Sequence, residues 1–110
     1  MSEQFTIFKD KIGEYRFNLK APNHETILAS EGYKQSASVE NGIKSVKENA
    51  PNDANYQRLI AKDGQFYFNL KAVNREIIGV SETYTTVPAR EKGIEAVKKY
   101  APTAGIKDDT

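Results

Sequence analysis

The stretch Gly13-Glu14-Tyr15-Arg16-Phe17-Asn18-Leu19-Lys20-Ala21-Pro22-Asn23-His24-Glu25-Thr26-Ile27 decides the fold, because the chain writes it twice. At an offset of 51 residues the text becomes Gly64-Gln65-Phe66-Tyr67-Phe68-Asn69-Leu70-Lys71-Ala72-Val73-Asn74-Arg75-Glu76-Ile77-Ile78. The same offset carries Ser30-Glu31 to Ser81-Glu82, Tyr33 to Tyr84 and Gly42-Ile43 to Gly93-Ile94. It also carries Val46-Lys47 to Val97-Lys98 and Ala50-Pro51 to Ala101-Pro102. No gap is needed, and 20 of the 47 positions in 5–51 are identical to their counterparts in 56–102. That is an internal duplication, and each copy is one structural unit.

Within a unit the hydrophobic period names the elements. Phe5 to Asp10, and Tyr56 to Ala61, are rich in aromatic and β-branched residues and read as a first strand. Gly13 and Asp63-Gly64 mark the turn that follows, with Asp-Gly favouring a type I′ hairpin. The second strand alternates. Tyr15, Phe17, Leu19 and Ala21 take one face, and Glu14, Arg16, Asn18 and Lys20 take the other. Copy two sets Phe66, Phe68, Leu70 and Ala72 against Gln65, Tyr67, Asn69 and Lys71. Asn23 and Asn74 mark a second turn, since asparagine tolerates the left-handed region. A third strand runs over 26–30 and 77–81, with Ile27 and Ala29, and Ile78 and Val80, expected on the core face.

The period then lengthens. Val39, Ile43, Val46 and Ala50 form one helical stripe, and Ile94, Val97 and Ala101 repeat it with Arg90 in place of Val39. Ser36 reads as an N-cap, Pro88 suits a first helical turn, and Pro51 and Pro102 end the two helices. A β-β-β-α unit of about 50 residues is marginal alone. Two units joined edge to edge share one sheet and hide strand edges. The expected fold is therefore α+β: one mostly antiparallel sheet with both helices on one face, in a single domain of two repeats, 5–51 and 56–102. Asn52 to Asn55 is too short a connector for independent domains. The chain is expected to be a monomer that is an internal pseudo-dimer.

Composition excludes several activities. Lysine and arginine number 16 against 15 acidic residues, a net charge of +1, so bulk charge draws the chain to neither nucleic acid nor an anionic membrane. Cysteine is absent and histidine occurs once, which removes thiolate chemistry, sulfur-ligated zinc and any multi-histidine cage or triad within one chain. No metal and no cofactor is expected. The start Met1-Ser2-Glu3-Gln4-Phe5 lacks the pattern of an export signal, and no apolar run approaches membrane-span length. The cytoplasm is the expected compartment.

Three sets of residues invite a functional reading. Arg16, Asn18 and Lys20, with Tyr67, Asn69 and Lys71, should line the face of the sheet that two helices leave uncovered, either as a solvated face or as a recognition surface. One clear aromatic is too few for a base-stacking platform, so nucleic acid is not the expected partner. Ser30, Glu31 and Tyr33, with Ser81, Glu82 and Tyr84, lie where the third strand turns toward the helix. They read as local turn caps and packing, or as seam residues that bring paired carboxylates and hydroxyls to a pseudo-twofold axis. Gly42 and Gly93, inside helices, signal close packing against Phe17 and Phe68, or else a groove. The leading expectation is a non-enzymatic binding or interaction module that uses the polar sheet face, with its partner unknown. The alternative is a small enzyme at the seam.

The repeated pattern of Gly13 to Ile27, Ser30 to Tyr33 and Gly42 to Lys47, renewed at Gly64 to Ile78, Ser81 to Tyr84 and Gly93 to Lys98, resembles the YegP-like family of small bacterial proteins in its two-repeat form. The resemblance spans nearly the whole chain. It implies paired β-β-β-α-β units in one sheet, the strand after each helix crossing to the other unit, with a short C-terminal strand near 104–109. It also implies that single-repeat members reach this architecture as dimers. No biochemical activity comes with the family, so the resemblance supplies no catalytic residue. Where the family's turn is Asn-Gly, this chain has Asn23-His24 and Asn74-Arg75.

Overall fold

Strand alternation and helical stripe together produce two layers. The computed structural model describes residues 3–110, so Met1 and Ser2 of the stretch read for an export signal lie outside the described residues. The first repeat gives β1 (Gln4–Lys9), β2 (Tyr15–Lys20), β3 (Thr26–Ala29) and α1 (Ser36–Asn49). The second gives β4 (Tyr56–Ile60), β5 (Phe66–Lys71), β6 (Ile77–Val80) and α2 (Val87–Tyr100), and β7 (Gly105–Asp108) follows. All seven strands form one sheet in the order β4-β5-β6-β3-β2-β1-β7. Every pairing is antiparallel except β1 with β7. Both helices lie on one face, and each bridges the repeats: α1 packs on β2 and on β5 and β6, while α2 packs on β5 and β3.

The repeats meet at β3 and β6 through a single residue pair, Ala29 with Val80. Backbone pairing that short is weak, so the joint rests on the core that the bridging helices close over it. Phe5, Phe17, Leu19 and Leu28, with Phe68 and Leu70, are fully buried beneath Val39, Ile43, Val46, Ile94 and Val97. Phe5 meets Phe17 edge-on at 5.6 Å between ring centroids, an arrangement aromatic quadrupoles favour. Arg90, which takes the place of Val39, is kept on the stripe by spreading over the Phe66 ring at 5.5 Å.

Four local expectations are corrected. The Asp63-Gly64 turn is not type I′, because only the glycine has a positive φ. Ala61 and Gln65 close a three-residue loop through Gly64 N–H to Ala61 O, 2.9 Å, and Ala61 N–H to Gln65 O, 2.7 Å. A type I turn followed by one left-handed residue is the usual solution for that loop length. The second turn repeats this geometry, and the left-handed residues are His24 (φ 71°) and Arg75 (φ 73°), not the asparagines. Asn23 and Asn74 instead accept from the N–H groups of Glu25 and Glu76. Ser36 is the first helical residue of α1, and the cap position is Gln35, which makes no side-chain capping bond. Finally, Ala29 and Val80 are half-buried, while Leu28 is in the core. A bulge between Leu19 and Lys20 pairs Leu19 with Leu28 and Lys20 with Thr26, so Ile27 is the extra residue and both Ile27 and Leu28 are buried.

The mid-helix glycines admit tyrosine. A Cβ on Gly42 would lie 2.7 Å from Tyr33 Oη and 3.3 Å from Phe17 Cε2, and Gly93 faces Tyr84 and Phe68 in the same way. Gly42→Ala should therefore destabilise by about 1–2 kcal/mol in urea unfolding, against a helix-propensity gain of roughly 1 kcal/mol. Adding Tyr33→Phe, which removes the nearest atom, should restore part of the loss. A simple gain in stability from Gly42→Ala would show that the tyrosine does not require the space.

Candidate functional site

Alternation along β2 and β5 sends Phe17, Leu19, Phe68 and Leu70 to the helices and leaves Arg16, Asn18, Lys20, Tyr67, Asn69 and Lys71 on the opposite face. No helix covers that face. The register aligns one row of side chains across all seven strands of the sheet: Lys107, Thr6, Asn18, Ala29, Val80, Asn69 and Gln57. The repeat-equivalent asparagines flank the seam three strand spacings apart, about 14 Å.

The two halves of this face differ in how their polar atoms are satisfied. Arg16 is engaged: its Nε donates to Asp10 Oδ2 at 2.7 Å and its Nη1 to Ser30 O at 3.3 Å. That contact holds the Asp10 carboxyl below its ordinary pKa. Asn69 is only 7% exposed, and its Nδ2 donates to Gln57 Oε1 at 3.3 Å. Its Oδ1 is buried with no hydrogen-bond partner among the described residues. Lys20 and Lys71 enter no ion pair among the described residues. The face thus offers carboxamide, ammonium and phenol groups for hydrogen bonding. The row also includes Thr6 and Gln57, which the sequence reading did not single out; the alternation of β1 and β4 would have found them.

The seam set is built differently. Ser30 Oγ accepts from Phe17 N–H at 2.8 Å and donates to Glu31 O at 2.8 Å. Ser81 accepts from Phe68 N–H at 2.9 Å and donates to Glu82 O at 2.7 Å. Both hydroxyls therefore replace ladder bonds where the third strand leaves the sheet. Tyr33 and Tyr84 pair with Tyr15 and Phe66 through isolated main-chain bridges. Burial is the main cause that raises both phenols, and Tyr33 also feels Glu31 and Glu76, while Tyr84 feels Glu82 and Glu25. Each tyrosine thus faces the turn of the other repeat. Ala29 pairs antiparallel with Val80, so Glu31 and Glu82, both exposed, lie two residues beyond that pair in opposite directions.

A cavity of about 370 Å³ opens between α2 and the β2–β3 turn, lined among others by Pro22, Glu25, Ile27, Tyr84, Lys92 and Tyr100. Of the residues singled out from sequence as site candidates, it takes in only Tyr84, and Gly93 lies in its wall. Near the β4 edge, Asp53, Arg58, Glu91 and Lys98 form an ion-pair network that fastens β4 to α2. Bonds from Lys98 and then Arg58 hold the Asp53 carboxyl low, which suits an anchor. Among the described residues no three acidic or histidine side chains gather as a metal site, and no helix is long and apolar enough to cross a membrane.

Comparison with known proteins matches this architecture at both repeats. The family described as Domain of unknown function (DUF1508) matches residues 10–57 and again 61–108. A UPF0339 protein of Acinetobacter baylyi is 53% identical over 110 residues, covering 100% of this chain and 99% of the relative. The UPF0339 protein YegP of Escherichia coli O157:H7 is 46% identical, with 100% of both chains covered. The solution NMR structure of E. coli yegP, a protein of unknown function, superposes with a TM-score of 0.94 at 45% identity, covering 100% of this chain and 95% of that one. A UPF0339 protein of Shewanella oneidensis superposes at 0.91 with 42% identity, covering 98% and 92%. With two tandem matches, relatives near 50% identity over full length and the same fold, the chain belongs to the DUF1508, or UPF0339 YegP, family.

Proposed function

We propose that this chain is a non-enzymatic binding module that receives its partner on the open face of the sheet, around Asn18, Lys20, Tyr67, Asn69 and Lys71, with Arg16 as a fixed border. The observation that carries this reading is Asn69 Oδ1, a buried acceptor without a donor. Such an atom costs about 1–3 kcal/mol of desolvation, and a partner that supplies an N–H or O–H as the Asn69 side chain turns outward recovers it. The unpaired lysines to either side favour a partner with acceptor or anionic groups. Tyr67 adds a flat apolar surface beside them. The rival reading, an enzyme at the seam, lacks support: the serine hydroxyls are committed to main chain, and Glu31 and Glu82 stand apart. The same proposal takes the chain as a cytoplasmic monomer in which the duplication replaces a dimer.

A stability–function trade-off follows. Asn69→Leu should raise the urea midpoint, by about 0.5–1 kcal/mol in stability, because it removes the unsatisfied acceptor. The same change should weaken partner capture. A loss of stability would mean that Asn69 serves the fold. The broader test replaces Asn18, Lys20, Asn69 and Lys71 together by alanine. Capture from lysate, quantified by mass spectrometry beside wild type, should drop at least tenfold while thermal unfolding stays cooperative. Full retention of capture would reject the face.

A further inference from the structure

The two outer edges of the sheet begin from equivalent positions of the duplicated fold, but only one is covered. β7 runs parallel to β1, from Gly105 beside Gln4 to Asp108 beside Ile7. Gly105 N–H donates to Glu3 O at 3.3 Å, and Asp109 N–H donates to Ile7 O at 2.8 Å. The 51-residue offset carries residues 3–7 to 54–58, the last two residues of a 3-10 turn (Asp53–Asn55) and the first three of β4, which ends the sheet on its far side. There no strand lies outside β4 among the described residues. The residues equivalent to β7 are Ala54–Gln57, and the chain uses Tyr56 and Gln57 to build β4 itself. Among the described residues, β7 fills one of the two equivalent places and no strand fills the other.

The β4 edge keeps part of the main-chain pattern that holds β7 on the other side. Ala61 N–H bonds to Gln65 O, so Gln57 and Leu59, at the same parity, face β5. Arg58 and Ile60 therefore turn their N–H and C=O outward, and Tyr56 turns its C=O outward while its N–H is taken by Asp53 O. On the filled edge, Lys47 Nζ donates to Ala104 O at 2.7 Å, holding the residue that leads into β7. Its equivalent, Lys98, has no such carbonyl to meet, and bonds Asp53 Oδ1 at 2.7 Å and Glu95 Oε2 at 3.1 Å. β7 is exposed along its whole length, so main-chain bonding rather than side-chain burial secures it.

We infer that the β4 edge is a docking site for an extended polypeptide segment that adds as an eighth, parallel strand, in the manner of β7 on β1. The filled edge defines the occupant's chemistry. It has a small residue at entry, as at Gly105. It then alternates an apolar residue on the helix side with a polar one on the open side, as at Ile106 and Lys107. It has no proline where an N–H must face the sheet. This site uses the backbone of β4 and stands independently of the open-face reading.

The test titrates a synthetic peptide with the sequence of residues 103–110 into the full ¹⁵N-labelled chain and follows the amides by NMR. Saturable binding with a Kd below about 1 mM is expected, with the largest shift at Arg58, the equivalent of Ile7, where the β1–β7 pairing ends. In the intact chain the N–H groups of Gly105 and Asp109 face β1, so that of Lys107 does too, and that of Ile106 faces away. N-methylation of the peptide at its Lys107 position should weaken binding at least tenfold, and at its Ile106 position should leave it nearly unchanged. The protein is unaltered throughout, so misfolding cannot mimic the result. The inference is overturned by an absence of saturable shifts or by equal loss with either methylation. It is also overturned by shifts centred on Gln4–Ile7, meaning displacement of β7, or by peptide-independent, concentration-dependent broadening at β4, meaning that a second copy takes the edge.

Discussion

Ala29 and Val80 occupy the same position of the two repeats, and they face each other across the seam. An approximate twofold axis therefore passes between them, and it drives the preceding pair, Leu28 and position 79, into one volume of the core. Two leucines cannot share that space. The chain resolves the conflict by breaking its own repeat: Leu28 is fully buried, and residue 79 is glycine, where a Cβ would stand 2.5 Å from Leu28 Cδ2. Gly79 has no left-handed φ to justify it, so the space is the reason. With one residue pair of ladder at the seam, this interlock and the two bridging helices are what make seven strands one sheet.

The same axis organises both surfaces considered for binding. It places Asn18 and Asn69 in one row on the open face, yet only Asn69 is buried with an unpartnered acceptor, so divergence at equivalent positions creates a local feature on a symmetric scaffold. It also relates the outer edges of β1 and β4, of which β7 covers that of β1. The cavity beside α2 follows the same pattern, since Tyr100 and Lys92 line it where the equivalent residues of α1 are Asn49 and Asn41.

Alternation in β2 and β5 and the stripes on α1 and α2 were legible because burial on one side imposes a period. The face that carries Arg16 through Lys71 was legible for the same reason. Turn geometry was not: Asp63-Gly64 suits a two-residue loop, and only the closing bond between Ala61 and Gln65 reveals the third residue. The bulge at Leu19/Lys20 was hidden because Ile27, Leu28 and Ala29 are all apolar and show no period. Ser30 and Ser81 read as turn residues, but their role of receiving the Phe17 and Phe68 N–H groups depends on a register set 13 residues away. The missing donor at Asn69 is a property of packing, and no local pattern encodes it.

The interlock at the seam is tested most directly by exchanging its two residues. Gly79→Leu alone and Leu28→Gly alone should each cost about 3 kcal/mol or more, the first by overpacking and the second by a cavity. The double exchange, Leu28→Gly with Gly79→Leu, should recover most of that loss, because the equivalent bulges at Leu19/Lys20 and Leu70/Lys71 present the same backbone from either side. Urea midpoints for the four proteins give the coupling. Losses that simply add in the double variant would show that Leu28 and Gly79 do not share one space across the axis, and would contradict this account of how the repeats join.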